Sequence, residues 1–337
     1  MEMILFKKVF IEKNIENAET TKNIVSRLPQ KSRDNIVYID SYQDIFGKVK
    51  KPYLQKRDNL NLFIAEKKGL LVKEAPEAYG LNGEKHFYFI NSYNCIYECE
   101  YCYLQGFFNS PDIVVFTNWD EIKKEIQSVA KKYPGSWFHA GEFSDSLALS
   151  HLTGELGHYF KLFKNLPEAK LELRTKSINI REALEIEPLN NVIFSFSVST
   201  EDACKNIDLK TPPLKHRLKA IKELQDKGHQ VGLHLDPIIW SPSWSEEHNF
   251  LVEKLSSEIL LNKVSYISIG VVRFTEPVYH QFQKNYPHSK IHQGELTKSF
   301  DQKIRYPRAL RNKMLSFLRE TLVCKGVKNE LIYDCME

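Results

Sequence analysis

Three features of the 337-residue sequence predict an α/β protein built on a parallel sheet, in the form of an open or partial (β/α) barrel. From residue 86 onward, strand-like apolar runs alternate six times with helical patterns. The strand runs read as near-continuous apolar segments, the pattern of a parallel sheet covered on its outer face. No dinucleotide-binding glycine fingerprint accompanies the series, so six barrel units are favoured, and in barrels chemistry gathers on the loops that follow the strands.

The units follow in order. HFYFIN (86–91) is the first strand, and WDEIKKEIQSVAKKY (119–133) is a helix with apolar residues spaced from Ile122 to Val129. WFHAG (137–141) is a strand, LALSHLTGELGHYFKLF (147–163) a helix, LELRTK (171–176) a strand and NIREALEI (179–186) a short helix. NVIFSFSVST (191–200) is a strand, followed by the helix LKHRLKAIKELQDKG (214–228) with Gly228 as its stop. QVGLHL (230–235), the helix 246–260 and the strand VSYISIGVV (264–272) complete the six units. Residues 1–85, including LFIAEKKGLLVKEAPEAYG (62–80), read as an N-terminal accessory segment. Residues 86–275 are the barrel, and 276–337 form a C-terminal appendage: a helix ended by Pro287, then the basic helix LRNKMLSFLRETL (310–322).

Composition bounds the function. The N-terminus MEMILFKKVF breaks its apolar patch with Lys7 and Lys8 and has no signal-peptide pattern, and no apolar run approaches the roughly 18 residues of a membrane span. The expectation is a soluble, cytoplasmic protein. Residues 273–325 hold 11 Lys and Arg against 4 Asp and Glu, although the whole chain carries only +4, so a basic end sits on an acidic remainder. This suggests a polyanion partner, with a solvated helix face as the alternative.

Six cysteines in a reducing compartment do not suggest disulfides. Three of them, Cys95, Cys99 and Cys102, fall within NCIYECEYCYLQ on the loop after the first strand. Zinc closes with four protein ligands, and only His139 or a distant cysteine is at hand to complete such a set. A cubane iron-sulfur cluster on three thiolates leaves one iron open for a small molecule, and the loop places it at the barrel mouth.

CxxxCxxC after the first strand, with the aromatic Tyr101 before the third cysteine, resembles the signature of radical S-adenosylmethionine enzymes. The resemblance implies a [4Fe–4S] cluster on Cys95, Cys99 and Cys102, whose open iron is chelated by S-adenosyl-L-methionine, and a partial (β/α)6 TIM-type barrel of the radical SAM type. Gly141 and Glu142, in AGE at the end of the second strand, look like the segment that holds the cofactor amino group. Within the superfamily the chain resembles the spore photoproduct lyase family, DNA repair enzymes that reverse a methylene-bridged thymine dimer. CEYCYLQ with VVFTNWDEI, SDSLALSHLTG, HLDPIIW and VVRFTEPVYHQFQKNYP match that family's segments in order. By this similarity Ser144, Lys176 and Ser197 contact the cofactor carboxylate, Tyr101 and Tyr103 flank the active site, and Arg305 and Tyr306 resemble a lesion-contacting step. The bland alternative for the last two is a helix-start Arg and a packed Tyr.

The family resemblance also implies carbon–carbon lyase activity, a lesion-containing DNA partner and an electron donor such as flavodoxin or ferredoxin. Lys and Arg of the C-terminal region would neutralise phosphates while the lesion is flipped out of the duplex. One departure stands out: Glu142 lies at or near the place of the cysteine that returns a hydrogen atom to the product in the lyase. Cys204, after the fourth strand, is the nearest other thiol by topology, and Tyr101 and Tyr103 are alternatives. The departure keeps two other readings open, a radical enzyme acting on a peptide or small molecule and a noncatalytic iron-sulfur DNA-binding protein.

Overall fold

A computed structural model describes residues 5–48, 59–76 and 83–335; the first four residues of the opening stretch and residues 77–80 of the 62–80 segment lie outside the described residues. Six parallel strands form the barrel: β1 (His86–Phe89), β2 (Trp137–Ala140), β3 (Lys170–Thr175), β4 (Val192–Ser197), β5 (Gln230–Ile238) and β6 (Ile267–Val271). Each pairs in parallel with the next, as the alternation of patterns predicts. The sheet does not close on itself. Ile332–Asp334 adds a further parallel strand beside β6, and Val72–Glu74 lies antiparallel to β1 at the other edge.

The strands differ from the near-continuous apolar runs expected of them: apolar and polar residues alternate along them. Successive residues point to opposite faces, and only one face is apolar. Leu171, Leu173, Phe194, Phe196, Leu233, Leu235, Ile267 and Ile269 join Leu218, Ile221, Leu251, Leu255 and Leu318 of the covering helices in one core. Fully burying each such side chain contributes about 1.5–3 kcal/mol. The alternate positions, Glu172, Ser195, His234 and Ser268, are equally buried but polar, and they line the lumen.

The helices follow the same logic. In Trp119–Lys132 the buried positions Ile122, Ile126 and Ala130 recur one turn apart, and Asp120 and Lys131 sit at the ends that suit the helix dipole. Leu214–Lys227 stops at Gly228, whose φ of 96° is the left-handed C-cap conformation. The helix predicted over 147–163 is divided into Ser150–Thr153 and Glu155–Lys164. Gly154 at the break has φ 65°, and a Cβ there would lie 2.4 Å from the Arg27 guanidinium.

Residues 9–65 supply three strands of a second sheet, Val9–Glu12, Ile36–Ile39 and Leu62–Ala65, which pair in parallel. Ile113–Phe116 adds a fourth parallel strand and Ser92–Tyr93 pairs antiparallel to it. This sheet has an apolar layer on each face, with Val9, Ile11, Leu62, Ile64 and Val115 on one and Phe10, Phe63, Val114 and Phe116 on the other. Ile113–Phe116, which includes the VVF that opens the VVFTNWDEI segment, therefore belongs to this second sheet.

Beyond β6, Glu276–Asn285 is a helix with Pro277 in its first turn. A small antiparallel sheet of Arg273–Phe274, Thr297–Lys298 and Ile304–Arg305 follows. The helix Arg308–Cys324 packs on Trp244–Glu258 and on β6.

Candidate active site

The cysteine loop is an excursion whose two ends are tied together. Ser92 and Tyr93 before it pair with Val115 and Val114 after it. At its neck Asn94, with φ 63°, donates from Nδ2 to the carbonyls of Ser110 at 2.7 Å and Asp112 at 2.8 Å. Its middle docks on the segment after β4, where Cys99 and Glu98 pair antiparallel with Asp208 and Leu209, and the Glu100 N–H donates to the Ile207 carbonyl at 3.0 Å. Its far side carries the short helix Leu104–Phe107, on which Glu276–Asn285 packs. Gly106 permits that approach, because a Cβ there would stand 2.9 Å from the Val278 backbone.

None of the six cysteines is in a disulfide. Cys95, Cys99 and Cys102 share the loop, half-buried, and the Cys102 N–H donates to the Cys99 carbonyl at 3.0 Å. Among the described residues no three His, Cys, Asp or Glu side chains converge on a single metal ion. His139, the nearest sequence candidate to complete a zinc set, is committed elsewhere: its Nδ1 hydrogen-bonds the Glu172 carboxylate and its Nε2 lies 2.9 Å from His86 Nδ1. Three thiols on one loop, with no fourth protein ligand gathered beside them among the described residues, suit a multi-iron cluster with an open site better than a mononuclear metal.

Opposite the loop, the end of β2 turns sharply at Gly141. Its φ is 82°, and a Cβ would lie 2.7 Å from Ser146 Oγ, so only glycine fits. The turn presents Glu142, whose backbone carbonyl accepts from the Tyr103 hydroxyl, and Ser144, whose Oγ accepts from Ser92 Oγ at 2.7 Å. Cys95, Ser92 and Ser144 line one small cavity. Lys176, at the end of β3, places Nζ 5.3 Å from the Tyr101 ring centroid. Burial alone would lower its pKa, but the charges of Cys99 and Asp208 outweigh it and the ammonium is held raised. Ser197 ends β4, buried, with its carbonyl accepting from Arg217 at 3.1 Å.

Two site residues were not singled out in the sequence. Asp145, inside the SD step, accepts four hydrogen bonds that join the β2 turn to the end of β3. Asp208 receives the Tyr101 hydroxyl at 2.5 Å and pairs with Arg217 at 3.3 Å, both ions fully buried. The only signal for the second was an acid and a base flanking TPP in IDLKTPPLKHR.

The other expected residues lie where their strands place them. Cys204, on the helix Glu201–Asn206, donates from Sγ to the Ser199 carbonyl at 3.5 Å. Tyr103 is 38% exposed beside Phe107. Arg305 and Tyr306 sit beyond β6, in the small sheet and just after it, but both are buried: Arg305 pairs with Asp301 at 3.1 Å, and the Tyr306 hydroxyl accepts from the Trp240 N–H at 3.1 Å. Tyr306 is packed, as the bland alternative has it, whereas Arg305 ends a short strand and is not the helix-start Arg, the helix beginning only at Arg308.

A polar layer fills the lumen beneath this mouth. Glu172 accepts from His234 Nε2 at 2.7 Å, from Tyr266 and from His139, with Arg174 at 3.4 Å. Although burial alone would raise its pKa, Arg174 and His139 hold the carboxyl well below its usual range.

A three-cysteine loop above the first strand of a partial six-unit barrel defines a fold of the radical S-adenosylmethionine class. Residues 86–321 match the family model described as Spore photoproduct lyase, and the chain belongs to that family. It is 29% identical over 206 residues to the spore photoproduct lyase of Bacillus subtilis (strain 168), a match that covers 60% of each chain. With the spore photoproduct lyase of Geobacillus sp. (strain Y412MC61) it shares 25% identity over 211 residues, 61% of this chain and 62% of that one. The match thus spans about three-fifths of the length of these curated relatives. A solved spore photoproduct lyase complexed with dinucleoside spore photoproduct has the same fold, with a TM-score of 0.83 at 18% identity over 99% of both chains.

Proposed function

We propose that this chain is a radical S-adenosylmethionine lyase that cleaves a thymine-dimer-type lesion, or acts on a related modified base, in DNA. Family membership supports the reaction class. The observation that carries the site is the cysteine loop, whose Cys99 pairs with the segment after β4 and whose Cys95 lines one small cavity with Ser144, while Gly141, Lys176 and Ser197 stand at the ends of β2, β3 and β4. In this reading Cys95, Cys99 and Cys102 hold a [4Fe–4S] cluster, and Gly141, Glu142, Ser144, Lys176 and Ser197 bind S-adenosylmethionine. When bound, the pair supplies a 5'-deoxyadenosyl radical that takes a hydrogen atom from the substrate.

The chain's own groups then have assignable tasks. The Gly141 turn exposes backbone to a ligand amine, and the Lys176 ammonium suits a carboxylate. Tyr101 and Tyr103 wall the chamber from the loop side. Lys and Arg of the C-terminal region provide the phosphate-neutralising surface for DNA, while Arg305 and Tyr306 enter as buried supports of the substrate end. An external one-electron donor of the flavodoxin or ferredoxin kind is required. A cytoplasmic location accords with reduced thiols, and no described helix is long and apolar enough to cross a membrane.

The test is anaerobic reconstitution followed by dithionite and S-adenosylmethionine, with 5'-deoxyadenosine as the readout. An assembled cluster that cleaves nothing overturns the radical-enzyme reading. Addition of ultraviolet-irradiated dry DNA tests the substrate, and unchanged spore photoproduct there restricts the proposal to another modified base.

A further inference from the structure

The cysteine loop rests on a pair of opposite charges that no solvent reaches. Asp208 and Arg217 are both fully buried, and Arg217 Nη1 lies 3.3 Å from Asp208 Oδ2. Arg217 also donates from Nε to the Pro212 carbonyl at 2.8 Å, from Nη1 to the Ser197 carbonyl at 3.1 Å and from Nη2 to Thr211 Oγ1 at 2.5 Å. Asp208 accepts from the Tyr101 hydroxyl at 2.5 Å and from Ser199 Oγ at 3.0 Å. Its own backbone pairs with Cys99. One carboxylate thus holds the loop by main chain at Cys99 and by side chain at Tyr101, and its counter-ion is clamped to the end of β4.

Fold stability alone does not account for such a pair. Desolvating two ions costs several kcal/mol each, and well-packed apolar residues of the same volume often serve stability as well or better. What an apolar substitute cannot provide is a fixed, balanced charge next to a thiolate loop. The potential of an iron-sulfur centre depends on the charge around it, on hydrogen bonding and on solvent exposure, and in a water-free site a charge acts with little screening.

We propose that Asp208 and Arg217 are positioning residues for the cysteine loop and a charge balance that sets the reduction potential of the cluster it carries. This rests on the cluster reading given above. Reduction adds negative charge, so, with the neighbouring Lys176 ammonium unchanged throughout, loss of Asp208 alone favours the reduced state and loss of Arg217 alone disfavours it. Asp208→Asn should therefore raise the midpoint potential and Arg217→Gln should lower it. The double variant, neutral at both positions, should return towards the unmodified value. A merely structural role predicts shifts of one sign that accumulate in the double variant.

The experiment uses the full chain, reconstituted anaerobically, with the midpoint potential read by an EPR-monitored redox titration and iron content measured alongside. Opposite shifts of the single variants with recovery in the double support the proposal. Shifts of the same sign, or none, at full iron content overturn it while leaving the cluster reading intact. Failure of the unmodified chain to take up iron and sulfide overturns the cluster reading, and this proposal with it. Should either single variant fail to fold, Tyr101→Phe is decisive instead: it removes one hydrogen bond from Asp208 without changing charge, so a lowered potential supports the proposal and an unchanged one overturns it.

Discussion

Asp145 anchors the backbone of Lys176: its Oδ2 accepts the Lys176 N–H at 2.7 Å, across from the β2 turn to the end of β3. Its Oδ1 accepts from Thr175 Oγ1 at 2.6 Å, from the Leu147 N–H at 3.0 Å and from the Ala148 N–H at 2.9 Å. Bonds to a charged acceptor are worth about 1.5–3 kcal/mol each, and their loss is not additive. Asp145→Ala should cost about 3–5 kcal/mol in denaturant unfolding. Because the Lys176 backbone is released, S-adenosylmethionine affinity should fall as well. A variant that melts like the unmodified chain would refute the anchoring role.

Gly141→Ala acts on the same turn from the other side. The residue has φ 82°, and a Cβ would meet the Ser146 Oγ and N–H at 2.7 and 2.8 Å. Strain at a left-handed position costs about 1–3 kcal/mol before any clash. The variant should lose that stability and bind S-adenosylmethionine more weakly, as read by isothermal titration against the reconstituted chain. Unchanged affinity would detach the turn from the cofactor.

The lumen layer should make the barrel labile to acid. Burial pushes His86 down to about 4 and also lowers His234, so both are neutral in the folded state. The unfolded chain takes up those protons near pH 6.5, so stability falls as pH drops below that value. Glu172 works in the same direction. Its folded pKa is depressed, so its contribution is present above the unfolded carboxylate value and is lost as pH falls through the folded one. Denaturant midpoints measured from pH 7 to pH 4 should decline, and His86→Phe should flatten the slope between pH 6.5 and 4.

Glu155 has the opposite sign. It is buried, its Oε2 has no hydrogen-bond partner, and burial pushes the carboxyl up to about 8. The folded state holds a proton that the unfolded chain releases near pH 4.5, so this group's contribution is full below that pH and is lost as pH rises towards 8. Glu155→Gln should remove this dependence. Its stability relative to the unmodified chain should therefore improve by on the order of 1 kcal/mol per pH unit between those limits. A constant difference across the window would mean that Glu155 is ionised in the fold.

The sequence is informative where function needs particular residue types at fixed spacing. CxxxCxxC, the six alternating units and the Gly228 stop are all local patterns, and the fold reproduces them. The lumen was missed because its residues come singly from different strands. Glu172, His139, His234 and Tyr266 meet only when the sheet curls, and in one dimension each looks like an interruption of an apolar run. Asp208 and Arg217 were hidden for the same reason: a charge beside TPP reads as a solvated turn until a distant loop covers it. Arg305 and Tyr306 were placed by resemblance, and their burial follows from packing around Trp240 and Asp301 that no local pattern encodes.

Under the proposed lyase reaction, Glu142 at the place that the family resemblance gives to a cysteine leaves the return of a hydrogen atom to another group, since a carboxylic O–H bond is too strong to serve as a thiol does. Two thiols outside the cluster loop stand after barrel strands. Cys335, after the strand that follows β6, is buried, accepts from Arg273 at 3.4 Å, and is pushed up to about 11 by burial. Cys204 is half-buried, its pKa also raised by burial, and it bonds the Ser199 carbonyl next to the Asp208 that holds Tyr101. Both remain S–H at neutral pH, as atom transfer requires, but only Cys204 lies on the segment that docks the cysteine loop. Cys204→Ala should retain the cluster and 5'-deoxyadenosine formation yet divert or stall the repaired product, whereas Cys335→Ala should leave the product profile unchanged. Turnover in deuterated buffer adds a direct readout, because an exchangeable thiol delivers solvent deuterium to the product. Deuterium incorporation unaffected by Cys204→Ala would remove Cys204 as the donor, and its loss in Cys335→Ala would transfer the role there.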